Sequence, residues 1–185
     1  FPFAPEHHRL VLVDSRVKHE LKDSPYNKRR ESCERVAKKL DMETLRDADM
    51  AMLNAVKGEI SAEDYFRAKF VIEEKDRVLA VCDALEKGDY ETVGKKMYET
   101  HEGLSKDYEV SCEELDFLND VAREVGVTGS RIMGGGFGGC TINLVPKAIH
   151  DKFIKEATTR FNEKYGHEPK IYDVVISDGA RRVSE

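Results

Sequence analysis

The chain has 185 residues, 40% hydrophobic and 36% charged, enough for one domain or one and a half around a sizeable core. Its 30 basic and 36 acidic residues are interspersed and leave a formal net charge of −6, which argues against non-specific nucleic-acid binding. No apolar run approaches the ~20 residues that cross a membrane and no basic-then-apolar leader opens the sequence, so neither membrane nor nucleic acid is an expected partner and the expected setting is the cytoplasm.

The first segment, FPFAPEHHRLVLVDS, has no initiator Met, and its strand signal at Arg9–Val13 begins almost at once. The expectation is a chain cut from something longer. RLVLVDS is a short apolar, β-branched run and reads as a buried strand. After Pro25, Cys33, Val36, Ala37 and Leu40 recur at helical spacing, with Lys, Arg and Glu on the opposite face. METLRDADMAMLNAVKG continues as helix formers with Leu45, Met52 and Val56 along one side, and Gly58 is the expected stop. Ser61 and Asp64 form a capping-box-like pair that starts a long helix reaching about Lys87. Gly88-Asp89 breaks it, and Tyr90 to about Ser105 is helical again with Val93, Met97, His101 and Leu104 on one side. Ser111 and Glu114 read as a cleaner capping box, before a helix that buries Leu115, Leu118, Ala122 and Val125 and ends at Gly126.

The period then shortens. SRIM and CTINLV are β-like, Lys147–Tyr165 is helical with Ile149, Phe153, Ala157 and Phe161 four apart, and KIYDVVIS is a final strand. The order strand, helices, two strands, helix, strand predicts an α+β fold, an antiparallel sheet layered against helices. The four cysteines, Cys33, Cys82, Cys112 and Cys140, form no CxxC pair. They are expected as reduced thiols, without the ligand spacing of a zinc site.

Between SRIM and CTINLV stand five glycines in six residues, Gly134, Gly135, Gly136, Gly138 and Gly139. They satisfy GxGxxG, but the dinucleotide fingerprint needs a helix next, and a strand follows here. A P-loop needs Lys and Ser/Thr after the glycines; Cys140 and Thr141 occupy those places. Two readings remain open at this point. One is a hairpin that needs positive φ or tight packing. The other is a loop that something approaches closely, since bare amides suit anionic oxygens.

GSRIMGGGFGGC, Gly129–Cys140, resembles the third signature motif of galactokinases, in the GHMP kinase superfamily. VKHELKDSPYNKRRESCE (17–34), EEKDRVLAVCDALEKGD (73–89) and DYEVSCEELDFLNDVA (107–122) resemble further segments of that family in the same order, so the likeness covers about residues 9 to 181. The resemblance implies a GHMP kinase C-terminal domain, ferredoxin-like, over residues 41–185. Residues 1–40 would form a strand and helix at the junction with a missing N-terminal domain. It implies transfer of the ATP γ-phosphate to the C1 hydroxyl of galactose with Mg2+. The family's GEHTDY-like and GLSSSA-like motifs and its proposed catalytic Asp lie upstream of this sequence, so ATP and Mg2+ would be held mainly by the missing part.

Residue by residue, Tyr26 in SPYNKRR matches the tyrosine that contacts galactose, and Lys18 matches a basic position near the phosphates. Gly134, Gly135, Gly136, Gly138 and Gly139 match the motif that closes over the site. Met133 stands where Thr is usual, and Asp14 where Asn is frequent. For the other polar residues the plainer reading is preferred. His19 is expected to pack at the domain junction and His101 at the core edge. Asp116 is expected as a solvated or helix-end charge, and Lys28, Arg29 and Arg30 as a solvated helix face. The functional alternatives are a related kinase, such as one for N-acetylgalactosamine or a mevalonate-type substrate, or a sugar- and ATP-binding sensor without turnover.

Overall fold

The computed structural model describes residues 6–17, 25–177 and 179–180. Strand β1 (His8–Asp14) is followed by helices α1 (Pro25–Lys39), α2 (Met50–Ala55), α3 (Ala62–Glu86), α4 (Tyr90–Lys106) and α5 (Glu113–Val125). Strands β2 (Gly129–Met133) and β3 (Cys140–Pro146), helix α6 (His150–Tyr165) and strand β4 (Lys170–Val174) complete the order. The sheet runs β2-β3-β1-β4, and each neighbouring pair is antiparallel. This is the α+β, ferredoxin-like arrangement expected from the sequence.

Alternation along the central strands sends successive side chains to opposite faces. Val11, Val13 and Val145 pack with Leu118, Val121 and Ala122 of α5 and Phe153, Ala157 and Phe161 of α6. The neighbouring Leu10 and Leu144 face the other way, onto Ala84 of α3 and Val93 and Met97 of α4. A third cluster joins α1 and α3 to the segment between them through Val36, Ala37, Leu45, Leu53, Ala68 and Ile72. Burying each of the largest of these side chains stabilises the fold by about 1.5–3 kcal/mol.

Helix α3 starts at the expected cap, Ser61 Oγ accepting the Asp64 amide at 3.0 Å. Gly126 ends α5 at φ 93°, a conformation that disfavours residues with a Cβ.

Two expectations fail locally. Residues 41–60 are not one helix but two single 3-10 turns, Leu45–Asp47 and Lys57–Glu59, flanking the short α2. Thr44 and Asp49 each cap a new start, the Asp49 carboxylate accepting the Met52 amide at 2.8 Å, so the helical phase resets twice. As a result Leu53 is buried and Met52 is exposed. The second failure is at α5, whose N-cap is Cys112 with no side-chain cap bond. Ser111 lies one residue before the cap, and its hydroxyl donates to the ionised Asp116 at 2.5 Å.

Candidate functional site

The glycine run is the loop between β2 and β3. Gly134, Gly136, Gly138 and Gly139 have φ of 93°, 82°, 128° and 75°, and Phe137 between them has φ 60°. Four of the five glycines therefore hold a conformation that L side chains resist. Gly136 has a second reason, since an added Cβ would lie 2.1 Å from the carbonyl oxygen of Val110. Gly135 is the exception. It has no positive φ, and an added Cβ would meet nothing within 4 Å. Among these glycines it is the one that the fold itself does not require.

The loop is fastened at three points. The Phe137 amide donates to the Val110 carbonyl at 2.6 Å. The amide and hydroxyl of Ser15, just past β1, both donate to the Gly139 carbonyl at 2.9 Å. The Arg29 guanidinium lies over the Phe137 ring, 5.4 Å from its centroid.

Arg29 is not on a solvated face as expected. It is only 7% exposed, with Nε donating to the Tyr108 carbonyl at 2.9 Å and Nη2 to the Glu109 carbonyl at 2.5 Å. Burial, then the neighbouring Arg67 charge, lowers its pKa, and backbone carbonyls replace the water it loses. Lys28 and Arg30 do face solvent. Arg29 was legible in principle: it falls four residues before Cys33, on the stripe that continues to Val36 and Leu40.

Tyr26 lies in the first turn of α1, three residues before Arg29 and so on the same side of the helix. It is 48% exposed. Nearby Tyr108 is held well above the usual phenol range by burial, with smaller contributions from Cys33 and Tyr26. Arg29, on the same helix as Tyr26, is the side chain that meets the glycine loop. Lys18 and His19 lie outside the described residues.

The connection from α4 to α5 that supports Val110 is itself braced. Lys69 donates to Asp107 at 2.6 Å. Asp116, expected as a solvated or helix-end charge, does stand in the first turn of α5, where it accepts from Ser111 at 2.5 Å, Ser105 at 2.9 Å and His101 Nε2 at 3.1 Å. Burial pushes its carboxyl up, but His101, Ser111 and Ser105 together outweigh that and hold it below the usual range. His101 is buried, in keeping with a core-edge role.

All four cysteines are unbridged. Among the described residues no group of three or more His, Cys, Asp or Glu could hold a metal ion. Nor is any helix among them long and apolar enough to cross a membrane. An apolar groove of about 340 Å³ between α3, α4 and the sheet, lined by Leu10, Val81, Met97 and Leu144 among others, includes no residue of the glycine loop or of α1.

Residues 82–164 match the family described as GHMP kinases C terminal. The chain carries a GHMP kinase C-terminal domain. This GHMP kinase portion is 39% identical over 183 residues to the galactokinase of Thermotoga maritima, covering 98% of this chain and 51% of that protein. It is 40% identical over 173 residues to the galactokinase of Homo sapiens, covering 93% of this chain and 43% of that protein. Among solved structures, Lactococcus lactis galactokinase complexed with galactose superposes with a TM-score of 0.89 at 28% identity, over 98% of this chain and 48% of that one. The GHMP kinase chain thus spans about half the length of the curated relatives it matches, as their C-terminal portion.

Proposed function

We propose that this chain is the C-terminal portion of a galactokinase, which in its complete form transfers the ATP γ-phosphate to the C1 hydroxyl of galactose. The observation that carries the reading is end-to-end similarity: 98% of the chain follows a galactokinase structure at a TM-score of 0.89, with no insertion of a different unit. In this reading the Tyr26 hydroxyl bonds sugar oxygens while its ring packs beside them. The amides of the 134–139 loop face the phosphates, and Gly135 leaves its side clear for them. Lys18 supplies charge to the transferring group. The general base, an Asp, and most of the ATP contacts belong to the other half of the protein. Magnesium, when bound, would neutralise phosphate charge; the family resemblance assigns its ligands to the other half as well. What this chain contributes is position, which is the main source of catalysis in phosphoryl transfer.

The test is ATP turnover by the full-length protein with galactose and with N-acetylgalactosamine, for the wild type and Tyr26→Phe. Galactose-dependent turnover, with sugar affinity reduced in the variant, is expected. A folded protein that binds galactose without turnover would replace the reading with a sensor. Turnover by the 185-residue chain alone would contradict the assignment of the base to the other half.

A further inference from the structure

The glycine loop and the first turn of α1 are far apart in sequence, and each carries a part of the proposed site. We infer that Arg29 is the positioning residue that couples them, holding the phosphate-facing loop in register with the helix that carries Tyr26. This deepens the galactokinase reading and rests on it.

Four observations converge on that side chain. Its guanidinium donates to two successive carbonyls, Tyr108 and Glu109, through Nε and Nη2. Those carbonyls directly precede Val110, whose own carbonyl accepts the Phe137 amide. The same guanidinium lies over the Phe137 ring at the crest of the loop. The connection is also in an unfavourable conformation, with Glu109 at φ 53° and Phe137 at φ 60°. Two non-glycine residues in the left-handed region cost free energy that their surroundings must supply. Arg29 touches both, bonding the Glu109 carbonyl and covering the Phe137 ring. Lysine cannot reproduce this. It has no planar fork to serve two carbonyls and a ring together.

Arg29 also stands 3.8 Å from the Glu109 carboxylate, which pairs more closely with Arg67 at 3.3 Å. Among the described residues, Arg29 further supplies the fork on the backbone and the cover on Phe137.

The experiment uses the full-length protein in two variants, Arg29→Lys and Phe137→Leu. The second approaches the contact from the loop and leaves the buried cation in place. Hydrogen exchange is read at the 134–140 amides and, as a control, in α5 and α6. Turnover with galactose and ATP is read in parallel. Loop exchange is expected to rise ~10-fold in each variant, the equivalent of losing one charge-assisted bond, with α5 and α6 unchanged. kcat is expected to fall by a similar factor, while KM for galactose moves less than threefold. The double variant is expected to be little worse than either single one. Unchanged loop exchange in both variants, a rise that spreads equally to α5 and α6, or additive effects would overturn the inference. A wild type without sugar turnover would refute the proposed function instead, and loop exchange would still decide for or against Arg29.

Discussion

Gly136→Ala and Gly135→Ala alter adjacent residues of one loop, yet they are expected to differ by about 3 kcal/mol in folding stability. At Gly136 the backbone has φ 82°, which costs an L residue about 1–2 kcal/mol. The new Cβ would also lie 2.1 Å from the Val110 carbonyl oxygen, so the loop must lift away. Lifting gives up the Phe137 amide bond to Val110, worth about 1 kcal/mol. It also gives up the Arg29–Phe137 stack, worth about 0.5–1 kcal/mol. At Gly135 neither cost arises, and alanine narrows the unfolded ensemble, so a neutral result or a gain of up to about 1 kcal/mol is expected. Urea unfolding followed by circular dichroism reads the difference directly. In a thermal scan it appears as a fall of roughly 6–12 °C for Gly136→Ala alone. Equal stabilities, or a larger loss at Gly135, would show that the loop is not seated on Val110 as described. Under the proposed function, Gly135→Ala in the full-length protein is expected to lose turnover without losing stability, since an added Cβ meets nothing within 4 Å in this chain.

Other outcomes follow from the same geometry. Gly94→Ala improves helix propensity by about 1 kcal/mol, but its Cβ would sit 2.1 Å from the Thr128 carbonyl oxygen where α4 meets β2. Packing should win, with a net loss of about 1–3 kcal/mol by urea unfolding. His150 is raised above its ordinary value by its bond to Asp151, opposed by burial and reinforced by Asp173 at 2.8 Å. Its contribution is therefore complete below about pH 6.5 and lost as pH rises through the folded-state value. Thermal scans from pH 5.5 to 8.5 should show this decline in the wild type and not in His150→Gln. Asp116 is shifted the other way, so its contribution is complete above about pH 5 and lost as pH falls below about 4. Asp116→Asn should flatten that part of the acid limb, as seen in melts from pH 3 to 6.

The elements that the sequence showed plainly are those where local chemistry and tertiary packing agree. Ser61 caps α3, Phe153, Ala157 and Phe161 line one face of α6, and the switch to period two marks β2 and β3. It misled where two local signals competed. At 41–60 the helix formers concealed the breaks that Thr44 and Asp49 impose through their own side chains. At Ser111 the spacing to Glu114 suited a capping box, but the helix starts one residue later, at Cys112 as its cap, and the Ser111 hydroxyl donates to Asp116. For Arg29 the helical stripe gave its buried side, but not what would satisfy its charge there. A buried guanidinium is stable only because carbonyls 79 and 80 residues away meet it, and no local pattern encodes those partners. Tyr26 was singled out through family likeness and the glycines through their run and that likeness, whereas the contact of Arg29 with the loop needed coordinates.

The sheet order has a consequence for how the chain reaches its fold. β1 precedes β3 and β4 in the chain, yet it lies between them, with all seven of its residues paired to β3 and five to β4. Val11 meets Asn143 only after 132 residues have been added, which at ribosomal rates is roughly 7 to 26 s. Through that interval RLVLVD is an apolar strand with two open edges, a template for any other extended chain nearby. A ribosome stalled before Lys170 would leave one of those edges open for good. The last strand therefore closes a vulnerability that the first strand creates, so truncation near the end should cost this protein more in aggregation than in lost contacts.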